Sequence, residues 1–325
     1  MLEEKDYILV AESHDNPCDH QVQARLVELA AENSPGPVIG LEMVSVKHQN
    51  VLYRFNNGQI PVNELAQELD WEENWGFDFE LYRPVFQAAA RLDLPLEALN
   101  VPGRITRTIN RQGQDELARE DLKYLPVQVI DPPEEQLEFL KEQYASHEDF
   151  FQGHGSSLDN FIAAQSVWDS KMAEQAWRIH SRTGRPVVIL AGSGHVASGH
   201  GIEHRLRVLD PEARMARFIP VRSLDAVVPD GSFYYFCPKT GKRTRLGIVA
   251  SETESGVKIT GVLDNSLAMK AGLQKQDLIV LANDKPVKTM VDLHNAVGEA
   301  VQESRRILFE VIRDQEPVSI EIKFD

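Results

Sequence analysis

The chain has 325 residues, of which 42% are hydrophobic, and a formal net charge of −16. This length exceeds the size at which single cores stop growing, about 250–300 residues, so two domains are expected. The acidic excess is scattered along the chain, which favours solubility and argues against nucleic acid as a partner.

No apolar run approaches the roughly 18 residues of a membrane-spanning helix, and residues 1–5 lack the features of a secretory signal. The compartment stays open: cell envelope or periplasm if a signal or lipoprotein anchor has been trimmed, and cytoplasm otherwise. Cys18 and Cys237 belong to no metal-binding or haem-attachment motif, and the sequence predicts no disulfide.

The first two-thirds of the chain alternates short apolar runs with helical patterns, which is typical of an α/β domain with a largely parallel sheet flanked by helices. Helical patterns follow His20 and Glu80, and the clearest helix covers residues 159–181. Turn residues then surround a short predicted strand at 233–236. Apolar runs predict strands covered on both faces at residues 7–11, 38–41, 96–99 and 187–191.

The change in composition after residue 224 predicts the domain boundaries. We place a first domain at residues 1–224, a linker at 225–244 and a second domain at 245–325.

Chemically active side chains follow the predicted strands, at the edge where open α/β sheets bind ligands. Imidazole and carboxylate groups are ligands for zinc, manganese or iron. The alternative is that these residues only cap helices or satisfy backbone groups in loops. In chain order they are Glu12, His14 and His20, then Glu42, then Asn100, then Gly192, Gly194 and His195.

Residues 9–17, with His20, resemble the opening motif of ChaN-like proteins, a bacterial family associated with haem binding and iron uptake. The wider Tiki superfamily, which includes metal-dependent peptidases and erythromycin-esterase-like enzymes, is marked by two Gly-x-x-His motifs with a glutamate between them. This pattern is matched by residues 11–14, in which Ala11 replaces the first glycine, by Glu42 and by residues 192–195. Further blocks resemble the family in the same order at residues 40–43, 71–75, 82–84, 99–102, 165–173 and 191–196.

The resemblance implies haem as the ligand, in an aromatic-lined pocket with an axial His, Tyr or Met. Trp71, Trp75 and residues 77–79 either line this pocket or bury area in the core. His154 is alternatively part of a turn that links two helices. The candidate haem or metal ligands are His14, His20, His195, Glu42, Tyr53, Tyr82, His147 and His154.

Two alternatives to haem binding remain. In a metal-dependent hydrolase, His14, Glu42 and His195 hold divalent zinc, manganese or iron, and Glu12 acts as general base. In a non-catalytic scaffold, these residues do not converge. The sequence leaves open whether the protein is an enzyme.

The last 80 residues or so resemble a PDZ domain of the bacterial protease-associated kind. The resemblance implies that the backbone of Leu246, Gly247 and Ile248 receives the C-terminal carboxylate of a peptide. An oligomerisation or interdomain brace that binds no peptide is the alternative, and a homodimer is left open. The pattern predicts helices at residues 268–272 and 291–300, and strands at 277–281, 307–313 and 318–324.

The combined prediction is a haem- or metal-binding domain joined to a peptide-binding module. Such a protein would link iron or haem handling to a partner in the cell envelope.

Overall fold

The computed structural model describes residues 4–32, 35–145, 156–223, 227, 230–238, 246–253, 255–303 and 305–324. The chain forms two compact units, Met1–Lys239 and Thr240–Asp325. None of the described helices is both long and apolar enough to span a membrane.

The first unit is built on a six-stranded sheet with the order β3-β2-β4-β1-β5-β6. Every neighbouring pair of strands is parallel. This confirms the predicted α/β class. The strands are β1 (Tyr7–Glu12), β2 (Val38–Ser45), β3 (Leu96–Asn100), β4 (Val187–Gly192), β5 (Met215–Val221) and β6 (Phe233–Phe236).

Helices flank the sheet in the order expected of strand–helix–strand units. Helix α1 begins where the Asn16 side chain accepts a hydrogen bond from the backbone of Cys18, and α8 ends at Gly184, whose φ of 65° stops the helix. The helices of this unit are α1 (Pro17–Ala31), α2 (Gln49–Asn56), α3 (Val62–Glu68), α4 (Trp71–Asn74), α5 (Phe79–Arg91), α6 (Gly103–Gln112), α7 (Glu134–Ala145), α8 (Leu158–Thr183), α9 (Ser193–Val196) and α10 (Ile202–Leu209).

The central strand β1 is apolar up to its last residue because both faces of the sheet are covered there. In β1, Ile8 and Val10 pack into the core on one face with Phe86 of α5. Tyr7 and Leu9 pack into the core on the other face with residues of α8 and α10. This alternation follows from the two-residue period of a strand.

The predicted linker at residues 225–244 is wrong in its central part. Strand β6 pairs in parallel with β5 and closes that edge of the sheet. Cys237 follows β6, is fully buried and forms a disulfide with Cys18, across a sequence separation of 219 residues. The prediction of no disulfide is therefore also wrong, because only the return of β6 to the sheet brings Cys237 to the start of α1.

The second unit is an antiparallel sheet with two helices, and its main path has the order β12-β11-β9-β8-β7. Strand β7 lies at one end, so its outer side has no strand partner among the described residues. Its helices are α11 (Leu267–Ala271) and α12 (Met290–Glu303), and its strands are β7 (Ile248–Thr253), β8 (Gly256–Val262), β9 (Leu278–Ala282), β10 (Lys285–Pro286), β11 (Arg306–Arg313) and β12 (Glu316–Lys323).

Candidate functional site

Four buried polar residues lie at or near the carboxyl ends of adjacent strands of the first unit. Glu12 ends β1, Glu42 lies within β2, and Asn100 ends β3. His195 lies in α9, which directly follows β4. The carboxyl ends of parallel strands share one edge, so the topology brings these residues together.

Two imidazoles converge on the carboxylate of Glu42. The ligand atoms offered by Glu12, His14 and Glu42 lie within 4.8 Å of one another. Nε2 of His195 is 3.5 Å from Oε1 of Glu42, whose other oxygen accepts a hydrogen bond from the backbone of Gly192 at 2.5 Å. The structure thus places both His14 and His195 beside Glu42, and the cluster of potential metal ligands consists of Glu12, His14 and Glu42.

Each imidazole is oriented by a second carboxylate. Nδ1 of His14 donates to Glu12 at 2.5 Å, and Nδ1 of His195 donates to Asp169 at 2.6 Å. This leaves the Nε2 atoms as the nitrogens available for coordination. Histidine ligands of metal ions typically donate a hydrogen bond from the N–H of the other ring nitrogen to a carboxylate in this way.

The carboxylates also hold positive charge on the imidazoles. Burial alone would lower the pKa of His195, but Glu42 and Asp169 outweigh it and raise the pKa to about 9. Burial likewise opposes the charged form of His14, whereas the hydrogen bond to Glu12 and the charge of Glu42 raise its pKa above the ordinary value. Without a bound cation, the His195 ring therefore favours the protonated form near neutral pH, and the His14 ring keeps its proton to a higher pH than an ordinary imidazole does.

Two of the predicted ligands support the site instead of facing it. His20 is fully buried, and hydrogen bonds to Gln23 at 3.0 Å and to the His14 carbonyl at 3.2 Å engage both its nitrogens. The Tyr82 hydroxyl donates to the same carbonyl at 3.4 Å. Burial raises the pKa of Tyr82, which disfavours a phenolate ligand.

The other candidates lie in different places. Tyr53 is 42% exposed and neighbours Arg182, which pairs with Glu97 near the start of β3, away from the carboxyl ends of the strands. His147 and His154 lie outside the described residues. Asn100 donates to the backbone carbonyl of Glu42 at 3.0 Å and thereby fixes the strand that carries this carboxylate.

The aromatic residues divide between the core and the site. Trp71 is buried and packs edge-on against Phe79, Tyr82 and Phe86. In contrast, the rings of Trp75 and Phe77 lie 4.8 and 4.9 Å from the His14 ring, whose side chain is 29% exposed. The two rings therefore form an aromatic rim around a partly accessible imidazole.

A cavity of about 50 Å³ lies beside Glu42. Its wall includes Ser45, His48, Trp75 and Trp168. Such a volume is comparable to the space of one or two water molecules.

The loop that carries His14 is fastened to the segment around β6. Arg222 forms an ion pair with Asp19 at 2.5 Å and donates to the hydroxyl of Ser13 at 2.8 Å. The Tyr235 hydroxyl of β6 donates to the carbonyl of Ala11 at 2.6 Å. With the Cys18–Cys237 disulfide, these contacts fix both sides of the loop.

Sequence reasoning missed Asp169 and Arg222 as supports of the site. Asp169 is fully buried on α8, beside the predicted apolar stripe that includes Trp168 and Met172. A charged residue on the buried side of a helix is the signal that could have identified it. Arg222 lies among turn residues and has no such local signal.

The second unit presents the predicted peptide-binding loop at the start of β7. Gly247 has a φ of 79°, and a Cβ there would lie 2.2 Å from the Cβ of Ser266. The carbonyls of Leu246 and Gly247 accept hydrogen bonds from Ala268 and Leu263, each at 2.8 Å. The loop therefore needs glycine and is held by its carbonyls, while Ile248 begins the edge strand.

Comparisons with known proteins match both units. A family model described as "Haem-binding uptake, Tiki superfamily, ChaN" matches residues 1–206, and a PDZ-domain model matches residues 244–324. The search of curated proteins gives no significant match. Both family resemblances drawn from the sequence are thereby confirmed.

Solved structures include similar folds. ChaN of Campylobacter jejuni, described with cofacial haem binding, is 19% identical with a TM-score of 0.53, covering 68% of this chain and 83% of that chain. The HtrA3 PDZ domain bound to a phage-derived ligand is 26% identical with a TM-score of 0.22, covering 24% and 82%. A serine endoprotease from Yersinia pestis is 24% identical with a TM-score of 0.21, covering 24% and 27%.

Proposed function

The chain belongs to the haem-binding uptake family, ChaN, of the Tiki superfamily, and from this we propose that its first unit binds haem at the exposed side of His14. The observation that carries the proposal is an imidazole that is 29% exposed, oriented by Glu12 and rimmed by Trp75 and Phe77. A carboxylate-oriented imidazole is suited to axial ligation, and aromatic rings are suited to contact with a porphyrin plane.

The size of the cavity limits where haem can lie. At about 50 Å³ it is far too small to enclose a macrocycle. Haem would therefore lie outside it, against the aromatic rim, with His14 as the described ligand. Bound haem would supply the iron chemistry, and the chain would supply the oriented ligand and the apolar contact.

Haemin titration of the full chain, followed by visible absorbance, tests this proposal. We expect saturable binding with a shifted Soret band, weakened at least about tenfold by His14→Ala because the axial ligand is lost. His180→Ala is the matched control, because His180 bonds the Arg185 carbonyl near the amino ends of the strands. Absence of saturable binding by the unaltered protein would reject haem as its ligand.

The second candidate function is metal-dependent hydrolysis, favoured by the convergence of His14 and His195 on Glu42. Glu12, Glu42 and Asp169 are buried carboxylates, against which Arg205 supplies one positive charge. With both imidazoles neutral, as metal ligands must be, the two negative charges that remain match a divalent cation. Such an ion, held by the Nε2 atoms and Glu42, would supply a bound water of lowered pKa.

Within this second candidate, we assign Glu12 to orientation of His14 and not to general-base catalysis. Glu12 is 1% exposed, and its Oε1 already accepts from the imidazole. Its Oε2 has no hydrogen-bond partner among the described residues and lies 3.9 Å from Nε2 of the buried His20. The small cavity beside Glu42 has room for the attacking water.

One pair of variants separates the two functions. His195 is 8% exposed and its Nε2 lies 3.5 Å from Oε1 of Glu42, so His195→Ala should abolish zinc binding by chelator-treated protein while haemin binding persists. His14→Ala should weaken both. If His195→Ala and His14→Ala weaken haemin binding equally, haem does not lie at the exposed side of His14.

For the second unit, we propose binding of a peptide C-terminus by the loop at Leu246, Gly247 and Ile248, with the peptide added to the outer side of β7. Two features support this mode: the loop geometry, and the outer side of β7, which has no strand partner in the part of the chain that the structure describes. A labelled peptide that ends in an apolar residue with a free carboxylate should bind. The same peptide with a C-terminal amide should bind at least about tenfold more weakly. Equal binding would assign the unit to another role.

The disulfide supports an oxidising compartment, such as the envelope, as the place where the protein matures, because disulfides persist there. Alkylation of the protein directly from cells, followed by mass spectrometry, should show Cys18 and Cys237 protected. Alkylated thiols in the folded protein would place it in a reducing compartment.

A further inference from the structure

A buried polar network extends behind His195, away from Glu42. Oδ1 of Asp169 accepts from His195 at 2.6 Å, and Oδ2 accepts from the side chain of Gln136 at 2.8 Å. Oε1 of Gln136 accepts from Arg205, whose Nη1 lies 3.7 Å from Oδ2 of Asp169. The network joins α7, α8, α9 and α10.

Every member of the network is withdrawn from solvent. Arg205 and Asp169 are 0% exposed, Gln136 is 4% exposed, and His195 is 8% exposed. Burial of a charged pair costs several kcal/mol per ion, and apolar residues of similar volume are often at least as stable. The network is therefore poorly explained by stability alone.

Arg205 is also incompletely satisfied. Its Nη1 donates to the carbonyls of His200 at 2.5 Å and Gly201 at 3.3 Å, as well as to Gln136. Its Nε and Nη2 have no hydrogen-bond partner among the described residues. Burying a guanidinium with unsatisfied donors costs free energy. Its presence therefore indicates that its charge or its geometry is required at this position.

We propose that Gln136 and Arg205 are positioning residues that fix Asp169 as the acceptor for His195, so that Nε2 of His195 is presented to a divalent cation at Glu42. This inference rests on the metal-binding candidate function. Gln136 and Arg205 engage Oδ2 of Asp169, which leaves Oδ1 for the imidazole. They thereby keep Asp169 from turning into the site as a competing ligand, and they fix the ring tautomer.

The first test is zinc affinity of the chelator-stripped full chain, measured by competition with a chromophoric chelator. Arg205→Met and Gln136→Leu should each weaken zinc binding by about 10–100-fold, the usual effect of losing an outer-shell partner. Arg207→Met is the matched control on the same helix, because Arg207 is 56% exposed and pairs with Glu203. Arg205→Lys should restore part of the affinity.

A double-mutant cycle separates positioning from general destabilisation. If Arg205 acts through Asp169, the combined Arg205→Met and Asp169→Asn variant should bind zinc about as weakly as Asp169→Asn alone. The absorption spectrum of bound Co²⁺ should change in Arg205→Met and not in Arg207→Met. Additive losses, or a Co²⁺ spectrum unchanged in Arg205→Met, would overturn the proposal.

A measurement on metal-free protein keeps this inference distinct from the proposed function. The Nδ1–H of His195, bonded to Asp169, should give a slowly exchanging imidazole resonance that Arg205→Met abolishes and Arg207→Met preserves. If the unaltered protein binds neither zinc nor Co²⁺, the metal-binding function fails, and this resonance alone decides the positioning role. Its persistence in Arg205→Met rejects that role.

Discussion

Substitution of Gly192 by alanine perturbs the site without removing any candidate ligand. A Cβ at this position would lie 2.7 Å from Cε1 of His14, 3.1 Å from its Nε2 and 3.5 Å from Oε2 of Glu42. Because carbon atoms pack at about 3.5 Å or more, the imidazole has to retreat by roughly 0.8 Å. The backbone of Gly192, with φ −58° and ψ 147°, accepts alanine, so the steric contact is the main effect.

The displaced imidazole has little room, since the ring centroids of Trp75 and Phe77 already lie 4.8 and 4.9 Å from that of His14. Ligand geometry tolerates errors of only about 0.2 Å in bond length and 0.5 Å in group placement. We therefore expect Gly192→Ala to weaken zinc binding by about 10–100-fold, comparable to loss of an orienting partner. Haemin binding should weaken as well if His14 is its axial ligand.

The assay is the same zinc competition and haemin titration, with circular dichroism to confirm the fold. Gly194→Ala is the matched control, because a Cβ there meets no atom within 4 Å. This control should keep both affinities. Unchanged zinc and haemin binding by a folded Gly192→Ala protein would show that the position of His14 does not set either affinity.

Three further predictions concern pH, the disulfide and the second unit. Since the folded state raises the pKa of His195 to about 9 from an ordinary 6.5, its stabilising contribution, about 3 kcal/mol, should be complete below pH 6.5 and lost as pH rises through 9. Denaturant titrations of metal-free protein should show this loss, and it should be smaller in His195→Asn, in which His14 still has a raised pKa. Joint Cys18→Ala and Cys237→Ala substitution should lower the unfolding free energy of the first unit by about 2–5 kcal/mol. The unaltered protein with its disulfide reduced should give the same lowered value in the same titration. Gly247→Ala should abolish peptide binding by fluorescence anisotropy, because the new Cβ has no space, whereas Gly298→Ala, which meets no atom within 4 Å, should not. If Gly247→Ala still binds the peptide, this loop is not the peptide-binding site.

Much of the site could be inferred before the fold was known. Glu12, Glu42 and His195 lie at or directly beyond apolar strands, and the parallel arrangement of those strands is enough to bring them to one edge. Gly192 at the end of β4 and Gly194 just beyond it look alike in sequence, yet an added Cβ would meet His14 only at Gly192. That difference depends on which way each Cα faces.

The roles of individual polar residues were not readable from the sequence. His20 looked equivalent to His14, but α1 turns it into the core, where both its nitrogens are occupied. Strand β5 was missed because Arg217 and Pro220 interrupt its apolar pattern. The position of β6 beside it depends on a pairing that no local pattern records.

The sequence by itself determined the two-part architecture, the helices and strands with strong periodicity, and the set of groups available for ligand chemistry. It could do so because burial follows the local periods of helices and strands. Only the tertiary structure decided that Asp169 orients His195 across 26 residues and that Cys18 meets Cys237 across 219. Contacts of this kind depend on how separate elements pack against one another. The sequence around one residue of such a pair contains no local pattern that identifies the other.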